Sequence, residues 1–182
     1  NNLEYGYDED WAYGDDLCVD FFCPYNDPYN SADNYVRDRK NGSIDIRLVS
    51  AESAQIFNGT TDWVAGVYWR EQDEELLRHY GGDFTSVFET TNQAVYGQLD
   101  TQLSGALRLS TGVRFENRQA SYRDSDLVDH RVDEDIWGGR IALQYQLPSQ
   151  AMMYGLISRG YKAGGVNSNP SVAAEDREFD TE

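Results

Sequence analysis

The chain has 182 residues, which suits one domain or a piece of a larger one. Its 32 acidic and 15 basic residues give a formal net charge of −17, which argues against a nucleic-acid partner because phosphate contacts need clustered Lys and Arg. The mean hydropathy of −0.69 and the lack of a long apolar run exclude a membrane-spanning helix. They do not exclude a membrane β-barrel, in which only alternate strand residues are apolar.

The first predicted strand ends near Glu4–Tyr7, and a long polar and aromatic loop follows over Asp8–Lys40. A loop of this length in a compact domain usually serves a function. Cys18 and Cys23 lie inside it, with no nearby His and no second cysteine pair to complete a metal site. We therefore predict a Cys18–Cys23 disulfide formed in an oxidising compartment, with metal binding as the alternative.

The other strands are predicted from alternation of apolar and polar residues with a period of two. They cover Ser43–Val49, Trp63–Arg70, Thr91–Leu103, Leu107–Asn117, Ile136–Leu147 and Ala151–Gly160. Tight turns are expected at Ser104-Gly105 and Pro148–Gln150. Longer connections are expected at Glu71–Glu89, Arg118–Asp135 and Tyr161–Ala174, and a shorter one at Ala51–Thr61.

The hairpin over Thr91–Asn117 has one apolar and one polar phase along two strands of about ten residues. The apolar phase contains Val95, Gly97, Leu99, Thr101, Leu103, Leu107, Leu109, Thr111, Val113 and Phe115. The polar phase contains Tyr96, Gln98, Asp100, Gln102, Arg108, Ser110, Gly112, Arg114 and Glu116, so we expect it to face water. This alternation is typical of a transmembrane β-barrel. The alternative is a soluble antiparallel β-sandwich binding domain, for example for carbohydrate, whose apolar phase faces a second sheet.

The connections alternate along the chain between longer and shorter ones, and most acidic residues fall in or beside the longer ones. In an up-and-down meander, every second connection lies at the same end of the sheet. Short turns at one end and long polar loops at the other are the arrangement of outer-membrane barrels. A soluble sandwich gives no reason for this sorting, so the pattern favours the membrane barrel.

Several segments also resemble the barrel of TonB-dependent outer-membrane receptors. The pair Ser43–Ser50 and Asp62–Tyr68 resembles a strand pair of that barrel. Ser158–Asn167 is similar to the "GYK-GG-N" segment that precedes a late extracellular loop of the family, and Tyr5–Asp10 is similar to an earlier Tyr/Asp-rich strand exit. Together the matches cover nearly the whole chain.

The resemblance implies an all-β, antiparallel up-and-down meander that is part of a transmembrane β-barrel of about 22 strands with a plugged lumen. Because the few strands here cannot close such a barrel, we expect residues 1–182 to be a partial TonB-dependent receptor β-barrel domain without its plug domain. The chain also begins without a signal peptide, as expected of a mature or truncated piece. The implied location is the Gram-negative outer membrane, as a multi-pass β-barrel.

The function that the resemblance implies is uptake of an iron–siderophore-type ligand across the outer membrane. The implied partners are outer-membrane lipid, this small ligand and the TonB complex, which the absent plug would contact. No catalytic motif is found, so we expect neither an enzyme nor a cofactor. His79 and His130 are expected to be solvated loop residues, and the acidic loops solvated without a metal.

Two groups of residues are candidates for ligand contact. The lumen-facing candidates, on the polar phase, are Arg47, Arg70, Arg108, Arg114 and Arg140; their alternative role is to pair with Asp45, Asp100, Glu116 or the plug. The extracellular-loop candidates are Tyr25, Tyr29, Tyr35 and Tyr80, whose alternative role is ordinary loop packing. On the apolar phase, Trp63, Trp69, Trp137 and Tyr145 suit the aromatic girdles of a barrel.

Overall fold

The computed structural model describes residues 2–8, 32–79, 82–167, 172 and 176–182. A seven-stranded sheet contains strands β1 to β7 in chain order, and β8 pairs with β9 in a separate two-stranded sheet. The strands are β1 Asn2–Asp8, β2 Ala32–Val49, β3 Thr61–His79, β4 Asp83–Gln102, β5 Leu107–Asp124, β6 Asp129–Gln146, β7 Met152–Arg159, β8 Gly165–Val166 and β9 Glu178–Phe179. The predicted all-β antiparallel meander is confirmed.

The helical content of the described residues is one 3₁₀ turn, Glu52–Ala54, in the connection between β2 and β3. Within those residues, no helix is both long and apolar enough to cross a membrane.

The strands are longer than predicted, and two predicted acidic loops are wrong. Most of Glu71–Glu89 belongs to β3 and β4, and most of Arg118–Asp135 belongs to β5 and β6. The predicted strands stopped where the apolar phase stops. Beyond that point both faces carry polar side chains, but the backbone ladder continues because hydrogen bonding between strands does not require an apolar face. The predicted loop Asp8–Lys40 also extended too far toward the C-terminus, because β2 already begins at Ala32.

The chain forms two compact units, each made of parts of several strands. Unit 1 comprises Asn1–Asn41, Gln72–Glu89 and Ser121–His130; unit 2 comprises Gly42–Glu71, Thr90–Ala120 and Arg131–Glu182. In unit 1, Arg37 and Arg39 both form ion pairs with Glu74. The turn after β5 is closed by Asp124, whose Oδ1 accepts hydrogen bonds from the backbone N–H groups of Asp126 and Val128.

Unit 2 has an apolar face that is open to its surroundings. Ile46 is 60% exposed, Phe115 54% and Ile141 56%, and no second sheet covers them within the described part of the chain. The polar phase of the same strands forms the opposite face, called the polar face below. Buried apolar residues of unit 2 such as Ala94 and Ile136 lie on this polar face. The better-packed side of the sheet is therefore the one that carries the charges.

Candidate functional site

The polar face of unit 2 holds the five arginines singled out from the sequence. Arg47 Nη2 lies 2.8 Å from Asp45 Oδ2. Arg114 donates through Nε and Nη2 to Glu116 Oε2, at 2.9 and 2.7 Å. Arg140 donates to Gln98 Oε1 at 2.6 Å. Arg70 and Arg108 are exposed.

A first cluster on the polar face joins β2, β3 and β4. The Tyr96 hydroxyl donates a hydrogen bond to Asp45 Oδ1 at 2.7 Å. The Tyr96 ring lies directly over Gly66, where an added Cβ would come 2.8 Å from Cε1 and closer still to Cζ and the hydroxyl oxygen. Gly66 is therefore required at this position because the tyrosine ring occupies the space of a side chain.

A second cluster joins β4, β5 and β6 through Asp100. Its carboxylate accepts hydrogen bonds from the Ser110 hydroxyl and, at 2.6 Å, from Gln98 Nε2. Since Gln98 also accepts from Arg140, the cluster is a continuous chain of hydrogen bonds across three strands. Such a chain fixes which side-chain atoms donate and which accept on this face.

A third cluster is centred on Glu116, which receives hydrogen bonds from three other residues. Arg114 and the Tyr161 hydroxyl both donate to Oε2, and Asn92 Nδ2 donates to Oε1 at 2.6 Å. The Arg114 guanidinium also lies 4.9 Å from the ring centroid of Tyr68. Partial burial, followed by the hydrogen bond to Glu116, raises the pKa of Tyr161. The hydroxyl therefore remains a donor at neutral pH.

Arg118 is a buried cation that the sequence analysis missed. It is 8% exposed, and Nη1 donates to Glu134 Oε1 at 2.8 Å and to the Gly164 carbonyl at 3.0 Å. The Thr181 hydroxyl donates to the other oxygen of Glu134. The segment after β7 is thus fastened to β5 and β6. Arg118 could have been found from the alternation of side chains along the strand, because it shares the polar phase with Arg114 and lies just beyond the predicted strand end.

The tyrosine and cysteine candidates fall mostly outside the described residues, as Cys18, Cys23, Tyr25, Tyr29 and Tyr80 do. In unit 1, Tyr35 pairs with Tyr5 in the β1–β2 register, and their rings stack at 5.0 Å with an interplanar angle of 2°. The Arg78 guanidinium lies 5.3 Å from the Tyr35 ring centroid. The prediction that Tyr35 lies in a loop is wrong, because β2 already begins at Ala32 and these contacts are made within the sheet. Its role as a ligand contact stays a prediction.

The candidate girdle residues lie on the apolar face. Trp137 and Tyr145 are 47% and 46% exposed. Trp63 donates through Nε1 to the Ala54 carbonyl at 2.9 Å. Such rings, with an apolar body and one polar atom, suit the boundary between lipid and water.

The prediction that the two histidines lie in loops is wrong. His79 ends β3, with Nδ1 2.5 Å from Asp83 Oδ1, and His130 is a half-buried residue of β6. This error has the same origin as the wrong prediction of the two acidic loops, because both histidines lie where the strands continue beyond the apolar phase. Among the described residues, no group of three or more His, Cys, Asp or Glu side chains is placed to hold a metal ion.

Comparison with known proteins shows which family this chain belongs to. The model of the family described as "TonB dependent receptor-like, beta-barrel" matches residues 1–176. The chain belongs to the TonB-dependent receptor family. The predicted resemblance is confirmed, and with it the prediction that the sheet is part of that β-barrel. The alternative of a soluble sandwich is therefore set aside.

A solved structure of the same architecture supports the fold of this TonB-dependent receptor barrel. The ferric yersiniabactin uptake receptor FyuA from Yersinia pestis matches with a TM-score of 0.67 and 21% identity, over 85% of this chain. The chain spans 25% of the FyuA chain. No curated protein sequence matches.

Proposed function

We propose that this chain is part of an outer-membrane receptor that takes up an iron–siderophore-type ligand in a Gram-negative cell. In this proposal, residues 1–182 are part of the barrel wall, and the plug lies elsewhere in the protein. The single observation that carries the proposal is the contrast between the two faces of unit 2. One face is apolar and open, while the other holds hydrogen-bonded clusters of arginine, carboxylate and amide groups.

The apolar face supports a position in the membrane. Side chains such as Ile46 and Ile141 are more than half exposed, which in water would leave a large uncovered apolar surface. In a bilayer the same side chains are covered by acyl chains. Because the backbone groups of these strands are bonded to neighbouring strands, a barrel satisfies them without water.

The strand lengths support a receptor that extends beyond the bilayer. A strand rises about 3.4 Å per residue, so β4 with its 20 residues measures about 68 Å. The hydrocarbon core is only about 30 Å thick. Tilt accounts for part of the excess, and the remainder is the polar part of the strands, beyond the end of the apolar phase, which would stand outside the membrane.

The polar face supports a ligand with negative charge. Arg70 and Arg108 are exposed on this face, and Arg47 has one described carboxylate partner while its side chain remains 59% exposed. Guanidinium groups bind carboxylate and other planar oxyanions through paired N–H donors. A ferric chelate with anionic ligand groups fits these donors. FyuA, which shares the fold, is a ferric yersiniabactin uptake receptor.

The partners follow from this function. Lipid would cover the apolar face, and the TonB complex would contact the plug rather than the barrel. The reaction is transport, which moves the ligand without breaking its bonds, so no catalytic group is required.

Uptake of radioactive iron by cells that express the complete receptor tests the proposal. Iron-starved cells lacking their own receptors should gain uptake from a panel of ferric siderophores only when both this receptor and TonB are present. Cells that express the receptor with Arg70→Gln and Arg108→Gln should take up less iron at the same receptor level. Uptake of a different cargo, such as a carbohydrate, with no response to any ferric chelate would overturn the ligand class.

A further inference from the structure

A groove crosses the apolar face of unit 2. Its floor is made of small residues on three strands, Ala65 of β3, Gly97 of β4 and Gly139 of β6. Larger apolar residues also line the groove: Trp63, Leu99, Val113, Trp137, Ile141 and Ile157. The depression follows Ala65 and Gly97 on the adjacent strands β3 and β4. On β5 it passes Val113, which lies beside Gly139 of β6.

The end of the groove is closed by a cation. Arg159 pairs with Gly139 in the antiparallel register of β6 and β7, so it lies beside that glycine on the same face and lines the groove at β7. Its Cζ lies 4.0 Å from the ring centroid of Trp137. Among the described residues, no carboxylate lies within ion-pair distance of Arg159.

This arrangement leaves the edge of the guanidinium available. A guanidinium stacked on an aromatic ring keeps its N–H groups in the plane of the fork, where they can bind an oxyanion with two parallel hydrogen bonds. The other arginine beside the groove, Arg140, donates to Gln98 on the opposite face. Arg159 is therefore the group that gives the groove its charge.

We propose that the groove binds one acyl chain of a membrane lipid whose phosphate headgroup is held by Arg159. The inference rests on the proposed function, because only a membrane-embedded barrel presents this face to lipid. The apolar floor and walls match a hydrocarbon chain, and the uncompensated cation at one end matches an anionic headgroup. Phosphatidylcholine would gain the same apolar contacts, but its phosphate is already compensated by its own choline cation, so it would neutralise Arg159 less completely than an anionic lipid does.

Two glycines of the same face provide a matched pair of variants. At Gly97, inside the groove, an added Cβ would lie 3.5 Å from the Val64 carbonyl oxygen, which is ordinary contact. At Gly155, which pairs with Leu143 on this face but lies outside the groove, an added Cβ would meet nothing within 4 Å. Gly97→Leu should fill the groove, whereas Gly155→Leu adds the same side chain beside it.

The experiment uses the complete receptor, purified from membranes and mixed with phosphatidylglycerol or phosphatidylcholine, with bound lipid counted by native mass spectrometry. The wild type and Gly155→Leu should retain one phosphatidylglycerol in preference to phosphatidylcholine. Arg159→Gln should lower the affinity for phosphatidylglycerol about tenfold and remove the preference, because a charge-assisted hydrogen bond is lost. Gly97→Leu should reduce binding of both lipids, and Arg159→Lys should keep part of the preference.

The possible failures are distinguishable. Equal retention by all variants, in receptors that insert normally, would overturn the lipid site and leave the transport proposal standing. A change of oligomeric state in Gly97→Leu, with lipid binding unaltered, would identify the groove as an interface between copies and also overturn the lipid site. Failure of the wild type to insert into bilayers would overturn the proposed function and this inference together. Heat-modifiable migration in gel electrophoresis checks that each variant is folded.

Discussion

The Tyr161 hydroxyl donates a hydrogen bond of 2.9 Å to Glu116, a residue 45 positions earlier in the chain. Tyr161 follows β7, whereas Glu116 belongs to β5, so the bond ties the segment after the last long strand to the polar face. Nearby, Arg118 binds the Gly164 carbonyl in the same segment. The segment that resembles the family's "GYK-GG-N" motif is thus held by side chains of β5.

Replacing Tyr161 by Phe should loosen that segment. The loss of one hydrogen bond to a carboxylate should cost about 1–2 kcal/mol, because Glu116 keeps Arg114 and Asn92 as donors. Hydrogen exchange of the amides over residues 161–167 should become faster, with little change in the strands. Tyr154→Phe is the control, since Tyr154 is 70% exposed in β7. Equal acceleration in both variants would show that the hydroxyl of Tyr161 does not fasten the segment.

Replacing Gly66 by Ala should displace the Tyr96 ring and break its hydrogen bond to Asp45. We expect a loss of about 1–3 kcal/mol in the free energy of unfolding, the usual cost of overpacking. In a Tyr96→Ala background the same substitution should cost much less, because the space above Gly66 is then free. A double-mutant cycle from folding titrations measures this coupling. A coupling energy near zero would contradict the contact between the two residues.

The sequence alone was sufficient to predict which residues of the hairpin Thr91–Asn117 share a face, because period-two alternation in one strand pair is a local pattern. It was not sufficient to predict the length of the strands. In β5 after Phe115 and in β6 before Trp137, both faces carry charged or polar side chains, so the regular alternation of hydrophobicity disappears. The contact between Gly66 and the Tyr96 ring also could not be predicted from the sequence. That contact depends on the register between β3 and β4, whereas the sequence shows only that one residue is small and the other aromatic.

The Cys18–Cys23 disulfide stays a prediction, because both residues lie outside the described part of the chain. It implies that non-reduced receptor from the outer membrane contains no free thiol from this segment. Alkylation with a mass label, before and after reduction, counts the thiols on a peptide spanning both cysteines. Two labelled cysteines without reduction would contradict the prediction. A bridged pair this close in sequence should add little stability, because the loop it closes is short.

Arginine at two adjacent positions of β5 tests the assignment of the faces. Leu109 lies on the apolar face, whereas the Ser110 hydroxyl binds Asp100 on the polar face. Leu109→Arg should destabilise the barrel by about 2–4 kcal/mol if residue 109 is near the bilayer midplane. Ser110→Arg should cost far less, because the new cation faces water and has the Asp100 carboxylate beside it. Folding titrations of the complete receptor in lipid vesicles measure both costs. Equal costs, or a larger cost at Ser110, would mean that the apolar phase does not face lipid, and the transport proposal would lose its physical basis.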